Sequence, residues 1–491
     1  MNDITAIMPY INEQTTTHLL RQLFSHESVK IGYVLNPDHK NFQYPQTVIL
    51  NVDSPVTTET LLRFQNRIDT EFILYFIKHN KLDFSQETFD KFFQTAERTG
   101  AGMIYSDYFE RKGGRLSPHP LIDYQSGSIR DDFDFGSFVM IRTSAFKHSL
   151  LQVKKKFEYA GFYDLRLRIS RTFPIHRISE FLYTINEAEE LKPEERVFEY
   201  VNPKNRQAQL EFEKVATEHL KEIGASCGTE FKTVDINSSN FNAEASIIIP
   251  VKNREKTIAQ ALESALNQKT DFNYNIIIVD NYSSDGTTKI INDFAKVDSR
   301  IVHLIPERKD LLIGGCWEVA IQNSKCGRFS VQLDSDDIYQ EENTLQKIID
   351  KFRSERCAMV IGTYKLTDFN LNEIPPGIVD HKEWTDDNGP NNALRINGLG
   401  APRAFFTPLL RQIEIPNVGY GEDYFLGITI SREYRIGRIY EPIYICRRWA
   451  DNTDAKVDIF KSNANNYYKD SIRTLEITIR QNKNRNNDNR R

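Results

Sequence analysis

The stretch ASIIIPVKNREKTIAQALESALNQ, residues 245–268, decides the fold of this chain. Its apolar run at Ser246–Pro250 has the length of a buried strand, and Lys256–Asn267 carries apolar residues at helical spacing. A second apolar run, Asn275–Asp280, follows after a short polar segment. Strand, helix and strand in this order predict a βαβ unit, and such units build mostly parallel sheets. We therefore expect an α/β fold.

The same plan occurs twice within the 491 residues. Thr70–Phe92 echoes Gly327–Ile348 with an offset of 257 positions, and Ile169–Ile178 echoes Ile430–Ile439 with an offset of 261. The openings of the two halves, ITAIMPY and ASIIIPV, also match in kind. Chance similarity of strand–helix units is the alternative. Because three segments repeat in one order, we predict a duplication.

The repeat predicts two tandem domains. We expect a first domain over residues 1–190, a linker over 191–242 with a helix at Arg206–Ile223, and a second, catalytic domain over 243–470. Residues 471–491 are rich in asparagine and basic side chains, which predicts a disordered tail. Such a tail could touch an anionic membrane surface, although a plain solvated tail is the simpler interpretation.

Composition excludes several classes of protein. The formal net charge of -5 and the lack of a recognition motif argue against nucleic-acid binding. The five cysteines form no CxxC pair, so neither a zinc site nor a disulfide framework is expected. The sequence shows no secretory signal and no apolar stretch of about 18 residues. We therefore expect a cytoplasmic protein, with the basic tail as an optional peripheral contact to the inner face of the membrane.

Three carboxylates follow an apolar strand in LDSDDIY, residues 333–339: Asp334, Asp336 and Asp337. Like charges so close together are costly unless a cation or hydrogen bonds offset them. Sites in open α/β sheets gather at the carboxyl ends of strands, and a hard divalent cation prefers oxygen ligands. The pattern therefore suggests a metal site that would also bind a diphosphate. The alternative is an acidic turn that caps a helix.

Three further segments place polar groups at the same expected edge of the sheet. VDNYSSDGT, residues 279–287, offers Asn281 to a base or ribose, and GYGEDYF offers Glu422 and Asp423, of which a carboxylate could act as general base. ICRRW offers Arg447 and Arg448, which could hold phosphate oxygens. Each also has a plainer interpretation as a turn, a favourably charged helix start or a surface arginine pair.

Taken in order, SIIIPVKNREKT, IIIVDNYSSDGT, LDSDDIY, GED and RRW resemble the family 2 glycosyltransferases of the GT-A fold. The resemblance covers about residues 243–452 and, with the repeat, implies two tandem GT-A-like, Rossmann-related domains. It also implies a nucleotide-sugar donor, a divalent metal (Mn²⁺ or Mg²⁺) and inversion at the anomeric carbon. The expected donor carries UDP rather than GDP. The expected acceptor is a glycan or lipid-linked hydroxyl, in the synthesis of a surface polysaccharide or glycoconjugate.

The resemblance also implies roles for single residues. Asp336 and Asp337 would bind the metal, and Asp423 would deprotonate the acceptor with Glu422 beside it. The donor would contact Pro250, Val251, Asn253, Asp280, Asn281, Asp334, Arg447 and Arg448. The acceptor region would include Gly400, Ala401 and Trp449.

Two positions depart from the family pattern. The family commonly has a second acid where this chain has Asn281, which leaves the base of the donor open. Many members carry a metal-binding histidine where this chain has Trp449, which leaves the full ligand set of the metal open.

The first half lacks the corresponding acids. By the ungapped offsets, Ile77–Asn80 replaces Asp334–Asp337 and Phe162 replaces Asp423, so we expect a non-catalytic copy. One rival hypothesis is a sugar-1-phosphate nucleotidyltransferase, but the PVKNREKT loop lacks the glycines usual there. The other is a non-enzymatic glycan-binding or scaffold protein of two degenerate copies, against which the intact DSDD and GED argue.

Overall fold

The computed structural model describes residues 3–36, 40–52, 54–186, 206–237, 240–449 and 458–488. The chain divides into two compact units. The first unit comprises Met1–Pro193, Lys204–Ser226 and Asp458–Arg491, and the second comprises Glu194–Pro203 and Cys227–Val457. The first unit is therefore discontinuous in sequence. Of the linker expected over 191–242, residues 191–205 and 238–239 lie outside the described residues.

The first unit opens with the βαβ order expected from its sequence. β1 (Ile4–Pro9) is buried throughout, and α1 (Glu13–Phe24) begins after Asn12, whose side chain accepts a hydrogen bond from the Thr15 backbone N–H. This is the usual cap of a helix start. The later elements are β2 (Val29–Leu35), β3 (Thr47–Leu50), α2 (Thr58–Leu62), β4 (Phe72–Phe76), β5 (Lys81–Phe84), α3 (Thr88–Thr99), β6 (Met103–Lys112), β7 (Arg115–His119), β8 (Phe138–Arg142), α4 (Thr143–Leu151), α5 (Gly161–Thr172), β9 (Ile175–Asn186) and α6 (Arg206–Glu222).

The second unit repeats this order. Its first strand, β10 (Ala245–Val251), is followed by α7 (Ile258–Leu266) and β11 (Tyr274–Asp280), as the opening stretch predicts. The later elements are α8 (Thr287–Val297), β12 (Ile301–Leu304), α9 (Ile313–Gln322), β13 (Phe329–Gln332), β14 (Ile338–Tyr339), α10 (Thr344–Glu355), β15 (Met359–Asp368), β16 (Glu373–Val379), α11 (Gly389–Asn392), β17 (Arg403–Phe406), α12 (Thr407–Leu410), α13 (Glu422–Ser431) and β18 (Ile436–Arg448).

The two sheets have the same strand order. It is β3-β2-β1-β4-β8-β6-β9-β5 in the first unit and β12-β11-β10-β13-β17-β15-β18-β14 in the second, with β7 and β16 added beside β6 and β15. The first four strands of each path are parallel, which confirms the predicted parallel sheet there. β8 and β17 then run antiparallel to their neighbours and extend each sheet.

The strand registers confirm the duplication. Ile4 lies opposite Phe72 in the first sheet, and Ala245 lies opposite Phe329 in the second, which retains the offset of 257. Met103 and Met359 lie opposite Ile175 and Ile436, which retains the offset of 261. Two tandem α/β domains of the same topology are therefore present.

The disordered tail expected from residue 471 is wrong for its described part. A long helix, α14 (Ile459–Asp488), runs through it and belongs to the first unit. Ile472 and Ile477 are buried, and the charges form buried ion pairs at helical spacing, such as Arg480 with Glu476. The asparagines and the basic excess conceal this helical spacing in the sequence.

The helix α14 fits closely against a loop of the first unit. A Cβ on Gly127 would lie 2.2 Å from the Asp470 carbonyl oxygen, so only glycine allows this contact. Asp470 itself is fully buried between the guanidinium groups of Arg130 and Arg473, at 3.3 Å and 2.7 Å. In the part of the chain that the structure describes, no helix is both long and apolar enough to cross a bilayer.

Candidate active site

The acidic loop between β13 and β14 holds the three predicted carboxylates. Asp337 is buried, and one of its oxygens accepts a hydrogen bond from the Arg447 backbone N–H at 2.8 Å. The Asp334 backbone N–H donates to the Tyr444 hydroxyl at 3.0 Å. Burial, with added repulsion from Asp336, raises the pKa of both Asp334 and Asp337. The loop is therefore fixed to the end of β18, and ionisation of its two buried carboxyl groups is disfavoured.

Asp336 points toward cationic and aromatic side chains. Its Oδ2 lies 3.7 Å from Nε of Arg254, in the loop after β10, and accepts a hydrogen bond from the Trp449 indole N–H at 3.3 Å. The Trp449 ring lies 5.5 Å from the ring of Phe369, and Lys256 Nζ lies 5.9 Å from its centre. Indole nitrogen is only a donor, so Trp449 cannot replace a metal-binding histidine.

A chain of hydrogen bonds connects the acidic loop to Asp423. The Gln332 amide donates to both oxygens of Asp334 at 3.0 Å, and its own oxygen accepts from Arg403 at 2.8 Å. The Arg403 guanidinium then donates to Asp423 Oδ2. Sequence reasoning missed Gln332 and Arg403, although a single arginine in the apolar strand RAFF was a signal.

Glu422 and Asp423 occupy the first turn of α13, as the GED motif predicts. Asp423 Oδ1 also accepts from the Tyr424 backbone N–H at 2.7 Å. Burial, followed by repulsion from Asp423, raises the pKa of Glu422 to about 8. At neutral pH Glu422 is therefore mostly protonated and can donate a hydrogen bond, whereas Asp423 carries the pair to Arg403.

The loops after β10 and β11 are joined on the predicted nucleotide side. Asn253, with a φ of 54°, accepts from the Ser284 backbone N–H at 2.7 Å and donates its own N–H to Ser283 at 3.0 Å. The Asn281 amide donates to the Leu311 carbonyl at 2.8 Å, while its buried Oδ1 has no protein partner. That oxygen is suited to accept an N–H from a base edge.

The sequence also predicts that Asp280 contacts the donor, but its side chain is not open to a ligand in the structure. It is fully buried and accepts from Thr288 at 2.5 Å and from the Ser283 backbone N–H at 3.0 Å. Burial acts to raise its pKa, but these hydrogen bonds and the nearby His303 outweigh it, so the pKa lies below the usual range. Asp280 therefore holds the shape of the loop that presents Asn281.

The other predicted positions are distributed along the same strands. Pro250 and Val251 end β10, and Arg448 ends β18 opposite Asp368. Gly400 has a φ of +64°, and a Cβ there would lie 2.2 Å from Ile361 Cγ2, so this turn requires glycine. Ala401 follows it, two residues before β17.

Residues 246–411 match the family model of glycosyl transferase family 2. The second unit carries a family 2 glycosyltransferase domain. Its relatives include the putative teichuronic acid biosynthesis glycosyltransferase TuaG of Bacillus subtilis (strain 168), 29% identical over 26% of this chain and 49% of that protein. Poly(ribitol-phosphate) beta-glucosyltransferase of Bacillus spizizenii is 29% identical over 35% of this chain and 26% of that protein. This chain spans at most about half the length of such curated relatives.

A solved structure is also similar to this chain. S. aureus TarS in complex with UDP-GlcNAc aligns with a TM-score of 0.37 and 20% identity, over 48% of this chain and 72% of that one.

The acidic loop of the glycosyltransferase domain offers oxygen ligands of the kind that a divalent metal ion prefers. Among the described residues no three His, Cys, Asp or Glu side chains converge on one point. Mg²⁺ in particular commonly takes only one or two carboxylates and completes its shell with substrate phosphates and water. The carboxylates of Asp336 and Asp337 are hard oxygen donors, and the raised pKa of Asp337, caused first by burial, indicates charge that a cation would stabilise.

The corresponding loop of the first unit, which the structure describes in full, lacks these acids. Asp83 pairs with Thr184 as Ile338 pairs with Ile445, so residues 77–82 occupy the place of the four residues 334–337. The ungapped match of Ile77–Asn80 to the acids is thus wrong in detail, because this loop is two residues longer. None of its residues is a carboxylate.

In the first unit, aromatic side chains lie where the glycosyltransferase domain has the hydrogen bonds that connect the acidic loop to Asp423. Tyr75 and Phe162, the counterparts of Gln332 and Asp423, stack with ring centres 5.3 Å apart. The backbone N–H groups of residues 158–160, which precede α5 as 419–421 precede α13, donate to the carboxylate of Glu211 in α6. A side chain of the same unit thus binds the backbone of the loop that corresponds to residues 419–421 of the second unit.

Proposed function

We propose that this chain is a metal-dependent, inverting glycosyltransferase that transfers a sugar from a nucleoside-diphosphate sugar to an acceptor hydroxyl. The observation that carries this proposal is the hydrogen-bonded chain Asp334–Gln332–Arg403–Asp423 within the family 2 domain. It joins the donor-side acids to a carboxylate suited to deprotonate an acceptor. This connection supports one site for the donor and the acceptor chemistry.

Asp423 is the proposed general base. In a single displacement, the acceptor oxygen forms a bond to the anomeric carbon while the bond to the diphosphate oxygen breaks. The electron pair leaves with the nucleoside diphosphate, and Asp423 takes the acceptor proton. Arg403 fixes the orientation of that carboxylate, and orientation of the reacting groups contributes strongly to rate.

The donor side is assigned to residues of the acidic loop and of β18. Asp336 and Asp337 would hold Mn²⁺ or Mg²⁺, which when bound supplies positive charge to the leaving diphosphate. Arg447 and Arg448 supply further positive charge there. The unpartnered Asn281 oxygen would accept an N–H of the base. Both uracil and guanine offer such an N–H, so the preference for UDP rests on the sequence resemblance.

The acceptor class is proposed from the relatives. Two of them are named for teichuronic acid biosynthesis and for poly(ribitol-phosphate) glucosylation. We therefore favour a glycan or lipid-linked acceptor in surface polysaccharide synthesis. The first unit is proposed to be non-catalytic, because its acids are replaced and Glu211 fills the equivalent loop.

Thermal unfolding with nucleotides tests this proposal. All three tryptophans, Trp317, Trp384 and Trp449, belong to the second unit, so their fluorescence follows the glycosyltransferase domain alone. UDP or GDP with Mn²⁺ should raise its midpoint, and EDTA or Asp336→Ala should abolish the rise. Asp423→Asn should retain this rise but lower turnover about 100-fold or more. No rise with any nucleotide would contradict the proposed function.

A further inference from the structure

Arg254 is an unexpected neighbour of the proposed metal ligand. Its Nε lies 3.7 Å from Asp336 Oδ2, and the two side chains are only 19% and 14% exposed. The Arg254 backbone N–H donates to Thr287 at 2.7 Å, and its guanidinium also donates to the Asn253 carbonyl at 3.1 Å. The arginine is therefore held by the joined loops on the nucleotide side while it reaches the acidic loop.

The first unit has the opposite charges at the corresponding places. β1 and β10 share an offset of 241, since Ile4 and Ala245 pair with equivalent residues, and the same offset aligns Glu13 with Arg254 when the following loops are compared without a gap. Lys81, at the end of the loop that replaces the acids, lines the same 520 Å³ cleft as Glu13. The copy that lost its acids thus also lost the arginine.

One carboxylate oxygen cannot serve a guanidinium and a divalent cation equally well. In the donor-free site, a metal on Asp336 must compete with Arg254 and also approach its positive charge. A donor diphosphate changes this balance, because it neutralises the metal and offers the guanidinium two oxygens in a bidentate geometry. Metal and donor should therefore bind the site together far better than the metal binds alone.

We propose that Arg254 is a positioning residue that couples metal binding to donor binding. It pairs with Asp336 in the donor-free enzyme and exchanges this partner for the donor diphosphate when the metal and the donor enter. The inference rests on the proposed function and adds a coupling that the family resemblance does not contain. Its consequence is a weak affinity for free metal, which the nucleotide strengthens.

Titration with Mn²⁺, followed by the loss of the free-ion EPR signal, tests the coupling without turnover. Wild type should bind Mn²⁺ weakly alone and much more tightly with UDP or GDP present. Arg254→Gln should bind Mn²⁺ at least about 10-fold more tightly than wild type without nucleotide, and the enhancement by nucleotide should shrink by the same factor. Arg254→Lys, which keeps the charge, should bind Mn²⁺ without nucleotide about as weakly as wild type. Arg308→Gln removes an exposed arginine paired with Asp310 and is the matched control.

The outcomes separate the two proposals. If nucleotide strengthens Mn²⁺ binding in wild type but Arg254→Gln binds Mn²⁺ alone no better than wild type, the coupling is wrong and the proposed function stands. If wild type binds no Mn²⁺ with or without nucleotide, both the coupling and the metal-dependent function are wrong. A gain in Arg254→Gln that persists after Asp336→Asn is added would also overturn the coupling, because the ion would then bind elsewhere. A cooperative unfolding transition in the tryptophan fluorescence of each variant verifies that the domain is folded.

Discussion

Glu422 gives the most direct test of the electrostatics of the site. It begins α13, is only 8% exposed and lies beside Asp423. Burial, and then repulsion from Asp423, raise its pKa from 4.5 to about 8. Replacement by glutamine keeps the shape and the hydrogen-bonding oxygen but removes the charge. We expect Glu422→Gln to stabilise the glycosyltransferase domain at neutral pH.

The magnitude follows from proton linkage. A carboxyl group with a higher pKa when folded binds more protons in the folded state, so stability falls as the pH rises from 4.5 to about 8. Each pH unit in this window costs about 1.4 kcal/mol. Relative to low pH, wild type loses under about 1 kcal/mol of unfolding free energy at pH 5 and about 3 kcal/mol at pH 7. Glutamine does not ionise and avoids this loss, so the unfolding free energy of Glu422→Gln should increasingly exceed that of wild type as the pH rises from 5 to 8.

Urea unfolding followed by tryptophan fluorescence measures this advantage, since the three tryptophans belong to the second unit. Wild type and Glu422→Gln should be compared at pH 5, 6, 7 and 8. Glu263→Gln, on the exposed face of α7, is the matched control and should show no such trend. A difference between Glu422→Gln and wild type that is absent at pH 7, or equal at pH 5 and pH 8, would refute this reasoning.

Three further changes test the other interactions of the chain. Arg403→Gln should lower kcat by about 10-fold to 100-fold with little change in donor affinity, because Asp423 loses its orientation; an unchanged kcat would contradict this role. Asp470→Asn should destabilise the first unit by about 3–5 kcal/mol in far-UV circular dichroism, since buried Arg473 loses its counter-charge, and a loss under about 1 kcal/mol would count against it. The conservative control Thr478→Ser, on the exposed face of α14, should be neutral. His79→Ala should leave turnover intact, and a loss like that of Asp336→Ala would show that the first unit takes part in catalysis.

The sequence predicts the repeated sheet well because its strands are continuous apolar runs. The offsets of 257 and 261 survive as strand registers, since insertions within a sheet would move every following side chain to the other face. Loops do not obey this restriction. The loop at residues 77–82 could therefore gain two residues that an ungapped comparison cannot detect.

The hydrogen-bonded chain at the site was not predictable from spacing. Gln332 and Arg403 become neighbours only because β13 pairs antiparallel with β17, with Val331 opposite Ala404. This pairing passes over three intervening strands of the sequence. Motif comparison finds the acids, because few structures require three carboxylates so close in sequence. It does not find Gln332 and Arg403, which hold them in place.

The helix α14 shows the opposite kind of failure. Its composition, rich in asparagine and basic residues, is that of a solvated tail. Only the burial of Asp470, Arg473, Glu476 and Arg480 reveals that these charges pair with one another along one face. Ion pairs at a spacing of three or four residues carry weak sequence signals because the same residue types also suit an exposed helix.

The close fit of Gly127 to α14 has a consequence for how the chain is made. The ribosome synthesises the first strand of the first unit at the start and its last helix, α14, at the end. The whole second unit is synthesised between them, so the first unit cannot complete its fold until residues 459–488 have been made. A product that stops after residue 449 contains all the residues that match the family model but leaves the surface around Gly127 uncovered. Exposed surface of this kind directs incomplete chains to chaperones and proteases. The stability of the first unit, and with it of the whole chain, thus depends on translation of the final helix.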